Sequence, residues 1–297
     1  MSMETISAAA AGTHDLGDGL VVNRLGFGAM RVTGKDVWGP PADHDAAIRL
    51  LRRVVELDVN FLDTADSYGP YVSEELIAEA LHPYPKGVVI ATKGGLTRPA
   101  RHAWDEDGRP EHLREALDGS LRRLRVDRID LYQLHAPDPE VPYEESVGVL
   151  RDSQVDGKIR LVGVSNVDLD ELEIARGIVD VVSVQNRFNL NDRSSEDVLD
   201  RCEELGIAFI PWFPLDTGNL AKGGGLMRRS RGPLHEIAQR HAAANAQVAI
   251  AWLLARSPVM LPIPGTSRLE HLAENVGAAS VELTEEEIER LTSEAHE

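Results

Sequence analysis

Cysteine is nearly absent from this sequence: a single Cys202 in 297 residues. One thiol closes no internal disulfide, which excludes a disulfide framework and suits a reducing, cytoplasmic location. Long hydrophobic runs are missing too. No stretch approaches the roughly 20 apolar residues that a membrane-crossing helix needs, so no membrane role is expected. Positive charge is scarce, with 31 Lys and Arg against 49 Asp and Glu and a formal net charge of -18. A field of that sign repels nucleic acid as well as anionic lipid surfaces, so neither is an expected partner. It does not exclude a phosphorylated cofactor, because a few local cations outweigh charges beyond the screening length.

What is present fits a globular enzyme: 42% hydrophobic and 27% charged residues, in a chain long enough to bury a full core. Residues 1–13 are rich in Ala and Ser and have neither a basic start nor a sustained apolar stretch. They are expected to be a disordered leader rather than a secretion signal. No linker or composition shift divides the rest, so 14–297 is expected to form one domain.

Short, near-continuously apolar runs recur at 24–30, 59–65, 87–93, 129–135, 159–166, 181–187, 207–215 and 259–266. Such runs are expected of parallel strands covered on both faces. Amphipathic stretches fill the gaps. Over 43–58, Ile48, Leu51, Val54 and Val55 form one stripe behind Asp43, a suitable N-cap. Asp168 with Glu171, and Thr284 with Glu287, have capping-box spacing. Glu74 and Glu75 follow Ser73, where acids favour the positive end of a helix. Further helices are predicted near 110–124, 142–156, 194–205, 233–255 (two) and 268–278. Eight runs alternating with helices leave two α/β architectures, a doubly wound sheet and a closed barrel. The length matches a (β/α)8 TIM barrel, and 14–22 reads as a hairpin able to plug its N-terminal end.

Polar residues fall at the ends of the apolar runs. Asp63, Lys93, His135, Asn166, Gln185 and the Gly265–Arg268 segment all lie at or just past C-terminal strand ends. In a barrel those ends ring one mouth, where catalytic groups sit. Tyr68, Lys93, Asp63 and His135 then suggest a chemistry. A phenol near pKa 10 is a protonated but sluggish donor, and a neighbouring ammonium lowers that value. Asp63 would hold Lys93 charged, and His135 would donate a hydrogen bond to a carbonyl. Together they supply an acid and a polarising donor for a carbonyl that receives hydride, with no metal required. Taken alone, each residue has a plainer reading: a turn tyrosine, a solvated lysine, a turn-capping aspartate, a core histidine. The shared rim is what favours chemistry.

LDTADSYG, ATKGG, LRVDRIDLYQLHAPD, GVSN, VQNRFN and IPGTSRLEHLAEN occur in this order across residues 24–278. The ordered set resembles the aldo-keto reductases. The resemblance implies a barrel, NADP(H) as cofactor and a small-molecule carbonyl substrate. Tyr68 would be the general acid, with Lys93 and Asp63 tuning it and His135 orienting the carbonyl. It also implies that Ser165, Asn166 and Gln185 bond the nicotinamide carboxamide, although a helix cap remains open for the first two. Trp212 would stack on the nicotinamide ring, with a plain core role open beside it. Gly28, Ala29 and Met30 would line the cofactor, as would Pro214, Leu215, Gly218 and Leu220 in and beside a Gly-rich belt over 216–232. That belt reads equally as a surface loop.

Gly265, Thr266, Ser267 and Arg268 would cradle phosphate at a helix start, with Glu274 and Asn275 on the adenine. Many relatives have Lys-Ser at Gly265–Thr266 and Arg at His271, so the 2′-phosphate is expected to rely on Arg268, helped by Ser267 and His271. The C-terminus is short, leaving a wide entrance flanked by Trp38 and Trp104. Details such as VWGPP and PWFPL are most similar to the pyridoxal-reductase-like branch. Pyridoxal or another aromatic aldehyde is the expected substrate, and Arg98, Arg101 and His102 would offer donors to ring hydroxyls. A nicotinamide-binding sensor with little turnover and an unrelated barrel enzyme are the alternatives.

Overall fold

The computed structural model describes residues 6–221 and 232–294. Strands β1 (Thr13–Asp15) and β2 (Val21–Asn23) pair antiparallel as a hairpin. The chain then enters β3 (Phe27–Gly28), α1 (His44–Glu56), β4 (Phe61–Asp63), α2 (Val72–Leu81) and β5 (Val89–Gly94). A small excursion, β6 (Leu96–Thr97) paired with β7 (Asp105–Glu106), precedes α3 (Pro110–Leu124). Next come β8 (Ile129–Leu134), α4 (Tyr143–Val155), β9 (Ile159–Ser165), α5 (Leu169–Ile178), β10 (Val181–Gln185), α6 (Glu196–Leu205) and β11 (Ala208–Phe209). Helices α7 (Pro233–Arg240), α8 (Asn245–Arg256), α9 (Leu269–Gly277) and α10 (Glu285–Glu294) complete the described chain.

Seven strands lie side by side in the order β11-β10-β9-β8-β5-β4-β3, all pairs parallel. The eighth stave, residues 259–263, forms no ladder. Pro262 and Pro264 lack the N–H groups that a ladder needs. Single bonds close the ring instead. The Phe209 N–H donates to Val259 O at 2.9 Å, and the Leu261 N–H to Phe209 O at 2.8 Å. On the other side the Gly26 N–H donates to Pro262 O at 2.9 Å. Backbones here approach so closely that a Cβ on Gly28 would lie 2.7 Å from Ile263 O, and one on Gly265 2.5 Å from Gly28 O. Both positions therefore require glycine for closure itself.

Strand alternation splits the apolar residues into two cores. Inward residues such as Phe61, Val89, Leu131 and Leu161 fill the barrel, and Leu16 and Val22 of the hairpin cap them from below. Outward residues meet the helices in the larger core. Local helix signals act as read: Asp43 accepts from the Ala46 N–H at 2.8 Å, and Asp168–Glu171 form a reciprocal capping box.

The leader is corrected in part. Residues 1–5 lie outside the described residues, but 6–13 are structured. Ala8–Ala11 make a short 3-10 turn capped by Ser7, and Ala8 is buried with its N–H on Leu57 O at 2.9 Å. An alanine run hides such docking, because only the tertiary partner gives the turn something to bury against. Among the described residues no helix is long and apolar enough to cross a membrane.

Candidate active site

Three consecutive strand ends bring the proposed acid and its partners together. Lys93, on the inward face of β5, is completely buried. Its ammonium donates to Asp63 Oδ2 at the end of β4 (2.7 Å) and to Thr64 O (2.8 Å). A buried charge of this kind persists only when paired and bonded. Burial works against the Lys93 charge, but Asp63 and Tyr68 outweigh it and leave its pKa raised. The ammonium lies 5.2 Å from the Tyr68 ring centroid.

Tyr68 follows β4 on a tight loop and is only 8% exposed. Burial raises its pKa above the ordinary phenol value, with Lys93 pulling the other way and Asp63 adding to the rise. Lys93 acts in the expected direction, but burial dominates in this site, so the phenol stays protonated. The His135 ring stands edge-on to Tyr68, with centroids 5.8 Å apart. Burial first, and Lys93 second, hold the imidazole well below its ordinary pKa. It is therefore neutral, with Nδ1 3.5 Å from Ser67 Oγ.

The rim continues through β9 and β10 with an unexpected bonding pattern. Gln185 donates to Asp63 Oδ1 at 2.7 Å, so this amide completes the carboxylate's shell rather than standing free at the mouth. Asn166, at φ 58, donates to His135 O (2.9 Å) and Ser165 Oγ (3.1 Å), while its Oδ1 accepts from Trp212 Nε1 at 3.0 Å. The cap of α5 falls to Asp168 instead. A carboxamide binding at Ser165, Asn166 and Gln185 would exchange with these internal bonds.

Trp212 is half-buried, edge-on to Phe213 at 4.8 Å. Pro214 and Leu220 are buried, and Leu215 and Gly218 are half-buried. Positions 222–231 of the expected belt lie outside the described residues. Gly28 and Ala29 are buried and Met30 is half-buried beside them. Ser73 ties Ala29 down by donating to its carbonyl at 3.2 Å.

Around the closing seam, Gly265, Ser267, Arg268 and His271 are exposed at the start of α9, above buried Thr266 and Asn275 and half-buried Glu274. Thr266 Oγ1 accepts from the Arg268 N–H at 3.1 Å. The Arg268 guanidinium lies 3.9 Å from the Glu270 carboxylate. Exposed cation, hydroxyl and imidazole at a helix N-terminus suit a phosphate group. This donor set fits the adenosine end of a phosphorylated dinucleotide.

Arg98 is the principal correction. Its five donors go to five backbone carbonyls: Ala103 (2.9 Å), Val37 (2.8 Å), Ser67 (3.4 Å), Asp36 (3.3 Å) and Arg101 (2.5 Å). None is left for a substrate hydroxyl. Arg101 pairs with Asp36 at 3.3 Å, and His102 is exposed. Trp104 stands edge-on to Tyr68 at 6.4 Å, and Trp38 bridges to Gly69. Buried Asp66 and Gln133 were not singled out from sequence; each has a side-chain atom without a hydrogen-bond partner. For Gln133 the available signal was its place near the end of β8, whereas Asp66 lies in the loop after β4.

The family model described as the aldo/keto reductase family matches residues 24–295. An uncharacterised oxidoreductase of Schizosaccharomyces pombe is 50% identical over 97% of this chain and 92% of its own length. A protein of Escherichia coli named pyridoxine 4-dehydrogenase is 39% identical, covering 91% of this chain and 94% of its own. A thermostable aldo-keto reductase crystallised with the inhibitor epalrestat superposes with TM-score 0.82 at 32% identity, over 95% of this chain and 98% of that one. Barrel, rim and these likenesses agree, and the chain belongs to the aldo/keto reductase family of oxidoreductases.

Proposed function

We propose that the chain reduces aldehydes and ketones to alcohols with NADPH, using Tyr68 as the proton donor. One observation carries this reading: a buried phenol whose ring centroid lies 5.2 Å from an ammonium that Asp63 pairs at 2.7 Å. The cofactor, when bound, supplies hydride to the carbonyl carbon. The protein's part is at the oxygen. Neutral His135 donates a hydrogen bond that positions the carbonyl, and Tyr68 Oη releases its proton as negative charge develops there. The Lys93 ammonium stabilises the tyrosinate that remains, and solvent protons restore the phenol. Arg268, Ser267 and His271 would hold the 2′-phosphate, which favours NADPH over NADH.

Pyridoxal or another aromatic aldehyde is the substrate class we favour, supported by the tryptophans at the mouth and by the relative named for pyridoxine. A cytoplasmic location suits the free, buried Cys202. The test is a screen of pyridoxal, substituted benzaldehydes, aliphatic aldehydes and aldoses, followed at the reduced-nicotinamide absorbance with NADPH and with NADH. Turnover with NADPH and higher kcat/KM for the aromatic aldehydes is expected. No turnover with any carbonyl would overturn the reading, and faster aldose reduction would overturn the substrate class alone.

A further inference from the structure

Three successive strand-to-helix loops build one side of the mouth: 29–43 after β3, 64–71 after β4 and 95–109 after β5. Each uses its own sequence for little regular structure, and one side chain joins all three. Arg98 reaches Asp36 O and Val37 O in the first loop, Ser67 O in the second, and Arg101 O and Ala103 O in its own. Asp36 and Val37 sit at φ 61 and 55, a conformation that side chains, and β-branched ones above all, rarely adopt. Their carbonyls are turned onto the guanidinium, which offsets that strain with charge-assisted bonds.

The same guanidinium lies 3.7 Å from the Trp104 ring and 5.4 Å from the Trp38 ring. A planar cation between two indoles is held by stacking as well as by its hydrogen bonds. Its charge faces carbonyls and aromatic rings rather than the opening, and the residue is 8% exposed. Trp104 in turn is 38% exposed and edge-on to the proposed acid. On this side, the wall that a substrate meets beside Tyr68 is therefore aromatic, with the Arg98 guanidinium already engaged.

We infer that Arg98 is a specificity-determining positioning residue: it locks three loops so that Trp104 stands against Tyr68, and thereby selects flat, uncharged ring aldehydes. This rests on the carbonyl-reductase reading above and adds to it the residue that sets the preference. Arg98 touches neither substrate nor cofactor in this account. Its effect should appear in KM for ring substrates, and hardly in the affinity for NADPH, because Arg98 bonds none of the proposed phosphate residues at 265–275.

The test compares benzaldehyde and butanal as substrates of the wild-type enzyme, Arg98→Lys and Trp104→Leu. Lysine keeps the charge but loses the five-donor fork and the planar stack. The ratio of kcat/KM for benzaldehyde to that for butanal should fall about tenfold in Arg98→Lys, mainly through the benzaldehyde KM. NADPH affinity, read by fluorescence titration, should stay within about twofold. Trp104→Leu leaves the Arg98 bonds in place and should lower the same ratio, so it decides the matter if Arg98→Lys does not fold. An unchanged ratio in both variants, or equal losses for both aldehydes, overturns the inference. A wild-type enzyme that reduces other carbonyls but neither of these overturns the inference alone, and one that reduces no carbonyl overturns the function proposed above as well.

Discussion

Two buried charge clusters sit back to back across β5. On the inner face Lys93 pairs with Asp63, which Gln185 also bonds. On the outer face Thr92 donates to Glu74 at 2.6 Å, and Glu74 pairs with Arg123 at 2.6 Å, between the sheet and helices α2 and α3. Glu74, like Lys93, is wholly buried. Adjacent residues of one strand thus serve opposite ends. The inner cation faces Tyr68 at the mouth, whereas the outer carboxylate faces Thr92 and Arg123 behind the sheet. A buried ion pair is costly to desolvate and is weak ground for stability by itself. On the proposed function, the pair that borders the opening acts on a reactant, and the one behind the wall acts on the wall.

The sharpest way to break this contrast is to remove the acid. Tyr68→Phe should lose roughly 10²–10⁴-fold in turnover, while NADPH binding and thermal stability stay close to wild type. Near-normal turnover by a folded variant would strip the inner cluster of its chemical role. Next in size, Arg123→Ala should show the reverse: a loss of about 3 kcal/mol in urea unfolding, because Glu74 is left buried without its cation, with kcat of the folded fraction little changed. If Arg123→Ala depresses kcat as strongly as Tyr68→Phe does, the two clusters are not separable.

A third prediction, set by pH, concerns Asp66, buried near both clusters. Burial and Glu74 push its carboxyl up to about 8 from 3.8, against Arg123. In that window the folded chain keeps a proton that the unfolded chain has lost, so its contribution to stability falls as pH rises from about 4 to about 8. Asp66→Asn removes the titration. The melting temperature of the variant relative to wild type should climb across that range, and a constant difference would show that Asp66 is already ionised at low pH.

The two clusters also show what a sequence discloses. Asp63, Lys93 and His135 end apolar runs, and a polar side chain at a strand end needs an explanation that only a rim provides. Glu74 and Arg123 lie within amphipathic helices, where acids and bases are ordinary surface residues. The acidic start of α2 reads as a helix-dipole effect for Glu74 and Glu75 alike, and nothing local distinguishes the buried acid from the exposed one. Capping signals are legible because both partners lie within four residues, as at Asp43 and Asp168. The bond from Gln185 to Asp63 spans 122 positions, and the fork of Arg98 reaches back to Asp36. Such partners follow from barrel closure and loop docking, not from spacing. The eighth stave was legible as an apolar run, while its lack of a ladder traces to prolines whose effect depends on their neighbours' register.

The hairpin beneath the barrel has a consequence for traffic. Leu16 and Val22 stopper the narrow end against Phe61, Val89, Leu131 and Leu161, and Arg160 fastens the turn by bonding Asp18. Among the described residues, the floor therefore offers no passage. On the proposed function, a nucleotide and a carbonyl compound must share a single doorway, and so must the proton that recharges Tyr68. Whichever reactant enters second stands in the other's way, so departures run in the reverse order of arrivals. On that reading, a sealed base imposes a sequence on events at the far end of the barrel, without touching any reacting atom.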